Sequence, residues 1–322
     1  SPKDLETILQ LLYLNFTSPR FDETDLDNLK RMYVPYYMNM ESDPNYIMGR
    51  EFQNTLFGGH VRRQITSAAD IEALNIPMLQ SVHSQLFSYA DDFRFIIVGN
   101  VDLETLRPLV EKYIGSLPTS NKVEYAVVDD GVRFATGEVT NDFRVAMQQP
   151  KVSVRLVYSG PMEYNAKNRL IVDLLSRALD MRYMVSIREE KGGTYGVSVQ
   201  GGNIDEPVEN YMLAIIFDTN EALADELVAI CDAEIRKIAE EGPLADDIAK
   251  AKESLQQNYA NVLENNSGWV SAITRWYDEG YNFKEDYLNI LASITSDDIK
   301  AFAAQLLEDN NRTLVVMRPE AQ

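Results

Sequence analysis

Two stretches of the chain end alike, and that repetition constrains the fold more than any other feature. Residues 69–100 read "ADIEALNIPMLQSVHSQLFSYADDFRFIIVGN", and residues 293–319 read "SITSDDIKAFAAQLLEDNNRTLVVMRP". Each opens on an acidic helix start, continues as an amphipathic helix and breaks at a polar turn. Each then closes on a β-branched apolar run, a buried strand by composition, stopped by glycine or proline. Upstream of each, a helix with aromatics runs into glycine, at "REFQNTLFGG" and "SAITRWYDEG". The pattern predicts an old duplication of a unit of roughly 200 residues. Two unrelated α+β domains would give the same pattern, and that reading stays open at this point.

The halves differ in their strands. Residues 151–160, 195–200, 210–218 and 312–319 alternate or run apolar as strands do, and they interleave with helical patterns over 163–188, 219–240, 244–265 and 296–309. The first part is helical over 5–16, 23–33, 44–56 and 69–86, and again from 102 to a Gly115/Pro118 stop. It offers one good strand, "FRFIIVGN", and one strand cannot satisfy its own backbone groups. Its sheet partners are therefore expected upstream, which makes the chain a fragment. Residues 120–149 read as a linker followed by the first strands of the second unit.

A formal net charge of −20 argues against nucleic acid and anionic membranes as partners, because both select for clustered Lys and Arg. No apolar run approaches the roughly 18 residues that a membrane span needs. The single Cys231 excludes an intrachain disulfide, and its helical apolar setting reads as a small buried residue. Zinc hydrolases commonly place two histidines on one helix face. This chain holds only His60, after a glycine pair, and His83, on a helix, so no metal site is expected in it. A G-x-S-x-G elbow and a phosphate loop are absent. Gly192, Gly193, Gly196, Gly201 and Gly202 follow a helix rather than opening one, which argues against dinucleotide binding. The acidic pairs Glu189-Glu190, Asp246-Asp247 and Asp297-Asp298 read as a helix end and two helix first turns.

What remains is "SIREEKGGTYGVSVQGG", residues 186–202. It has an ordinary reading, a helix stop followed by a strand edge. It also has a chemical one. Arg188 carries a permanent charge with fork-like donors, and a Tyr195 hydroxyl can donate to the same oxygen. A Gly192-Gly193 turn between them would bring both to one rim, where they could hold a peptide carbonyl or the oxyanion formed when it is attacked.

"IREEKGGTYGV" resembles the arginine–tyrosine motif in the C-terminal half of the pitrilysin/insulinase family of inverted zinc peptidases. "FTSPRFDETDLDNLK", "ESDPNYIMGREFQNTLFGG" and "FRFIIVGNVDLETLRPLVEKYIGSLP" are similar to the ends of that family's domains. The resemblance runs over nearly the whole chain and is nearest to the longer bacterial zinc proteases, with four homologous domains in one polypeptide. It implies an α+β fold of the mitochondrial-processing-peptidase/pitrilysin type, each domain an antiparallel-rich sheet packed with helices. Residues 1–120 would be a third domain truncated at its N-terminus, and residues 121–322 a complete fourth. The resemblance also implies that zinc sits in a separate N-terminal half, on an H-x-x-E-H motif that this chain lacks. The C-terminal half closes over that site and brings Arg188 and Tyr195 to a peptide substrate. Alone, this chain would be inactive. The helix before the motif lacks a glycine-rich turn that many members carry. Two other readings stand beside this one: a non-catalytic partner subunit or scaffold of the same family, and a binding module with no peptidase history. The resemblance points to the periplasm, with the cytoplasm as the alternative.

Overall fold

The computed structural model describes residues 2–120 and 128–320. Among them are twelve α-helices and one five-stranded mixed sheet, an α+β architecture. Residues 121–127, part of the expected linker, lie outside the described residues. The chain forms two compact units. One comprises Ser1–Glu41, Thr66–Ala126 and Val262–Tyr277, the other Ser42–Ile65, Val127–Asn261 and Asp278–Gln322.

The first unit is helical. It contains α1 (Leu5–Thr17), α2 (Glu23–Met40), α4 (Ala68–Ala73), α5 (Ile76–Phe87), α6 (Leu103–Tyr113) and most of α10 (Asn266–Glu279). The helix starts are written in the sequence. Asp22, Asn75 and Asp102 each accept N–H bonds of the first turn, and Ser67 with Asp70 forms a capping box. α2 continues past its expected end near residue 33 to Met40, although Pro35 within it gives up one ladder bond. Two helices replace one long pattern over 69–86, and Pro77, the expected interruption, is instead the second residue of α5, after a break at Leu74-Asn75. The core is small: Leu9, Phe16, Leu26, Leu106 and Tyr113 are buried, with Phe16 edge-on to Phe87 at 5.4 Å and to Phe93 at 4.9 Å.

One expectation fails here. Residues 93–98, the apolar run of "FRFIIVGN", form no strand, and the first unit has none among the described residues. The β-branched composition is right for a strand, but a ladder needs a neighbour. The segment lies against α1 and α5 through Phe93 and Phe95 instead.

The second unit is built on the sheet. Its strands are β1 (Glu138–Val145), β2 (Val152–Pro161), β3 (Val197–Ile204), β4 (Asn210–Thr219) and β5 (Arg312–Pro319), in the order β1-β5-β2-β4-β3. β1 and β5 are parallel, with Glu138 opposite Arg312, and the other pairs are antiparallel. β2 is buried almost throughout because both faces are covered. On one face Val152, Val154, Leu156 and Tyr158 meet α7 (Ala166–Tyr183), α8 (Ala224–Glu241) and α12 (Ser296–Glu308). On the other, α3 (Pro44–Leu56) sets Leu56 against Val157 and Ala214, and Met48 against Val315 and Met317. α9 (Ala245–Leu263) and α11 (Phe283–Ser293) add Ile248, Leu255 and Leu291 to the main core. Cys231 is fully buried on α8, where burial pushes its thiol pKa up and leaves it a small apolar residue.

Candidate functional site

The sequence motif begins at the end of α7. Asn165 caps that helix by accepting the Asn168 N–H at 2.8 Å, and Leu174, Leu175, Leu179 and Tyr183 anchor it in the core. The Tyr183 hydroxyl donates to the Cys231 carbonyl at 3.0 Å, which fixes the helix end against α8. The helix then widens into a π turn over Met184–Glu189. Ser186 supports the widening by donating its hydroxyl to the Arg182 carbonyl at 3.0 Å. π turns are uncommon and often mark functional sites. No residue of "MVSIRE" signals one in advance.

The π turn sorts its side chains. Ser186 and Ile187 are buried, while Met184, Val185, Arg188 and Glu189 face solvent. The chain then reverses. Gly192 takes a φ of +64°, which favours glycine, and donates its N–H to the Arg188 carbonyl at 3.1 Å. A Cβ on Gly193 would collide with the Leu223 side chain, and the Gly193 carbonyl accepts from the Thr219 hydroxyl at 2.7 Å. Lys191 pairs with Glu226 of α8 at 2.6 Å. Thr194 closes the turn on Gly196, accepting its N–H at 3.2 Å and donating to its carbonyl at 3.0 Å. The left-handed φ thus favours glycine at 192, while a side chain at 193 would first have to displace the Leu223 methyl.

This rigid turn leaves two functional groups outside. Tyr195 has an exposure of 101%, and its hydroxyl has no hydrogen bond among the described residues. Arg188 is exposed, and among the described residues its guanidinium donates only to the Met184 sulfur, at 3.2 Å. No bond joins Arg188 to Tyr195. The helix stop and the strand edge are both present, and the two candidate residues are exposed groups on a turn whose backbone is tied at several points.

The two histidines are occupied elsewhere. His60 Nδ1 accepts the Arg62 N–H at 3.3 Å, so its other nitrogen faces the Asp130 carbonyl at 3.2 Å as the donor. His83 Nε2 donates to the Asn15 carbonyl at 2.7 Å, and its ring stacks on Phe87. No cluster of three His, Cys, Asp or Glu residues suited to a metal occurs among the described residues. The donor set does not fit zinc. Asp246, Asp247, Asp297 and Asp298 lie in helix first turns, where negative charge is favoured.

A family model described as "Peptidase M16 inactive domain" matches residues 73–255. The chain belongs to that family. M16 peptidases are the pitrilysin-like zinc peptidases that the arginine–tyrosine motif resembles. Among curated relatives, a zinc protease PQQL-like protein of Arabidopsis thaliana is 23% identical over 290 residues, covering 85% of this chain and 30% of the relative. The solved structure of the periplasmic protease PqqL of Escherichia coli superposes with a TM-score of 0.82 at 19% identity, over 99% of this chain and 35% of that one. A peptidase M16 inactive domain from Pseudomonas fluorescens gives a TM-score of 0.79 at 18% identity, over 100% of this chain and 77% of that one. These likenesses establish the M16 fold. The chain spans about a third of the length of PqqL and of the plant relative.

Proposed function

We propose that this M16 inactive domain is the substrate-enclosing, non-zinc-binding half of a zinc metallopeptidase, and that Arg188 and Tyr195 are its contacts with the peptide. One observation carries the reading. The turn fixes its backbone at Gly192, Gly193 and Thr194 and buries Ser186 and Ile187, yet leaves Tyr195 fully in solvent and Arg188 exposed, with a thioether as its only partner among the described residues. No other aromatic among the described residues exceeds 58% exposure, so Tyr195 stands apart from the remaining surface tyrosines.

In this reading Arg188 and Tyr195 donate to the carbonyl oxygen of the scissile peptide and hold the oxyanion that develops on it. Zinc, and the groups that activate water, belong to a separate N-terminal half, on the same polypeptide or on a partner subunit. This chain supplies no step of that activation. Residues 1–120 and 121–322 are, in the same proposal, two successive M16-type domains. The periplasmic location of the PqqL neighbour supports the same compartment for the parent protein.

The test uses the full-length protein. Arg188→Ala and Tyr195→Phe are each expected to lower kcat/KM by about 100-fold, the scale of losing one oxyanion donor. Their melting temperatures should stay within about 2 °C of wild type. Unchanged turnover per folded molecule would leave the pair a structural turn. The purified chain alone is expected to cleave nothing, and zinc-dependent hydrolysis by it would overturn the division of labour. An upstream coding sequence without H-x-x-E-H would favour the non-catalytic subunit instead.

A further inference from the structure

β3 is an outer strand of the sheet, with one ladder, to β4. In such a strand alternate residues turn their N–H and C=O groups away from the sheet. One contact fixes which residues these are. The Val199 N–H donates to Asp180 Oδ1 of α7 at 3.4 Å, so Val199 faces outward. By the two-residue pleat, Val197 and Gly201 face the same way. Among the described residues no partner is found for their outward N–H and C=O groups.

The surroundings of this row are asymmetric. On one face α7 presses on the strand, and a Cβ on Gly201 would meet Ser176, Val172 Cγ1 at 2.5 Å and the Val172 carbonyl at 3.2 Å. On the other face a Cβ on Gly202 would meet nothing within 4 Å, and Ser198 and Gln200 are exposed. Ser176, Asp180, Met184 and Arg188 follow one another at intervals of four. The first touches Gly201 and the second reaches Val199, so α7 runs antiparallel to β3 toward the turn that carries Arg188 and Tyr195. Residues 195–209 carry Asp205, Glu206 and Glu209 and no Lys or Arg. Asp180 has no cationic partner among the described residues.

We infer that the β3 edge from Val197 to Gly201 binds an extended, Lys- or Arg-bearing peptide as an added strand, and that Asp180 selects the basic side chain. The Asp180 carboxylate occupies the place that a neighbouring strand's carbonyl would take at the Val199 N–H. At 3.4 Å that bond is long and is readily exchanged. An incoming peptide carbonyl takes over the Val199 N–H, and the released carboxylate pairs with a peptide ammonium or guanidinium. Main-chain bonds supply affinity without regard to sequence, and the charge supplies the preference. The inference rests on the proposed function only for the choice of a peptide as occupant.

The experiment uses this chain and a fluorescein-labelled octapeptide of alternating threonine and lysine. Fluorescence anisotropy measures binding, and hydrogen exchange locates it. Saturable binding with at least tenfold slower exchange at Val197, Val199 and Gly201 is expected. The same peptide N-methylated at alternate amides, and its glutamate counterpart, should each bind at least tenfold more weakly. Asp180→Asn should erase the lysine-over-glutamate preference. Val197→Pro removes an outward N–H while leaving the β4 ladder intact, and should weaken binding tenfold. If that variant does not fold, the N-methylated peptide asks the same question of the native chain. Equal binding of the N-methylated peptide would overturn the added strand in favour of diffuse attraction to an acidic surface. So would edge protection that appears without peptide and rises with protein concentration, which would mark a second copy on β3. Loss of kcat/KM in Arg188→Ala without peptide binding at β3 sinks this inference and spares the proposed function. Binding at β3 with unchanged kinetics does the reverse.

Discussion

Residues 93–98, "FRFIIV", and residues 312–317, "RTLVVM", have the same strand-forming composition, each following a helix that starts with a capping box or an Asx cap. Their fates differ. The second is the centre of a ladder, with β1 parallel on one side and β2 antiparallel on the other, and Val315 and Met317 have no exposure. The first has no ladder, and Phe93 and Ile97 are 37% and 38% exposed. Composition prepares a segment to be a strand. Only neighbours make it one, because the gain lies in cross-strand bonds and in burial on the pleated surface.

The largest test of this comparison is a pair of truncations in the present chain. Met317→Ala should cost about 3 kcal/mol, the usual loss for a buried methionine. Ile97→Ala should cost under about 1 kcal/mol, as partly exposed positions do. Urea unfolding reads both, and amides over 94–98 should exchange well before those over 313–317. Equal losses would show that the first segment is already packed as tightly as a strand.

The same dependence on neighbours holds within a single strand. Gly201 and Gly202 are adjacent in β3, but a Cβ at the first runs into Ser176 and Val172, and a Cβ at the second meets open space. Gly201→Ala should therefore cost about 2 kcal/mol, as overpacking against a helix backbone does. Gly202→Ala should be neutral or slightly stabilising, within about 0.5 kcal/mol, because alanine narrows the unfolded ensemble. A reversal of this order would mean that α7 does not lie on β3 as described.

Much of this was legible in the sequence, and the illegible parts share one cause. Helix starts at Asp22, Ser67, Asn75, Asp102, Asn165 and Thr295 are written in local residue types, because a cap is a contact within four residues. The strands of 151–160, 210–218 and 312–319 follow from alternation or apolar runs, and the one expected over 195–200 is found shifted, at Val197–Ile204. The spacing of Arg188 and Tyr195 across a glycine pair could be read directly, as could the helix stop between them. What failed depends on partners distant in sequence. The run at 93–98 needed a sheet neighbour. α3 looked like an ordinary amphipathic helix, and nothing local says that Met48 and Leu56 pack on β5, β2 and β4. The π turn differs from an α turn by one register of hydrogen bonds, and Asp180 is an acidic residue on a helix until β3 is laid beside it.

The smallest test compares the two capping boxes, one in each unit. In Ser67/Asp70 and in Thr295/Asp298 the acidic side chain accepts the cap residue's N–H, at 2.8 and 2.7 Å. Both carboxyl pKa values are lowered, but only Asp298 also faces a lysine. Lys167 of α7 sits at 2.7 Å and is the main reason that Asp298 is held at about 2, below the usual 3.8. The Asp70 shift comes chiefly from Ser67. A depressed carboxyl pKa stabilises the fold at pH values above the unfolded pKa, and that stability is lost as pH falls through the folded one. Asp298→Asn should therefore cost about 1 kcal/mol near pH 6, a figure already reduced for solvent screening of a partly exposed pair. The difference from wild type should shrink between pH 3.8 and about 2. Asp70→Asn should show the same sign with a smaller amplitude, and added salt should narrow the gap between the two by screening Lys167. If the Asp298→Asn deficit persists undiminished at pH 2, the cap contributes through shape and the tie between α7 and α12 is not electrostatic.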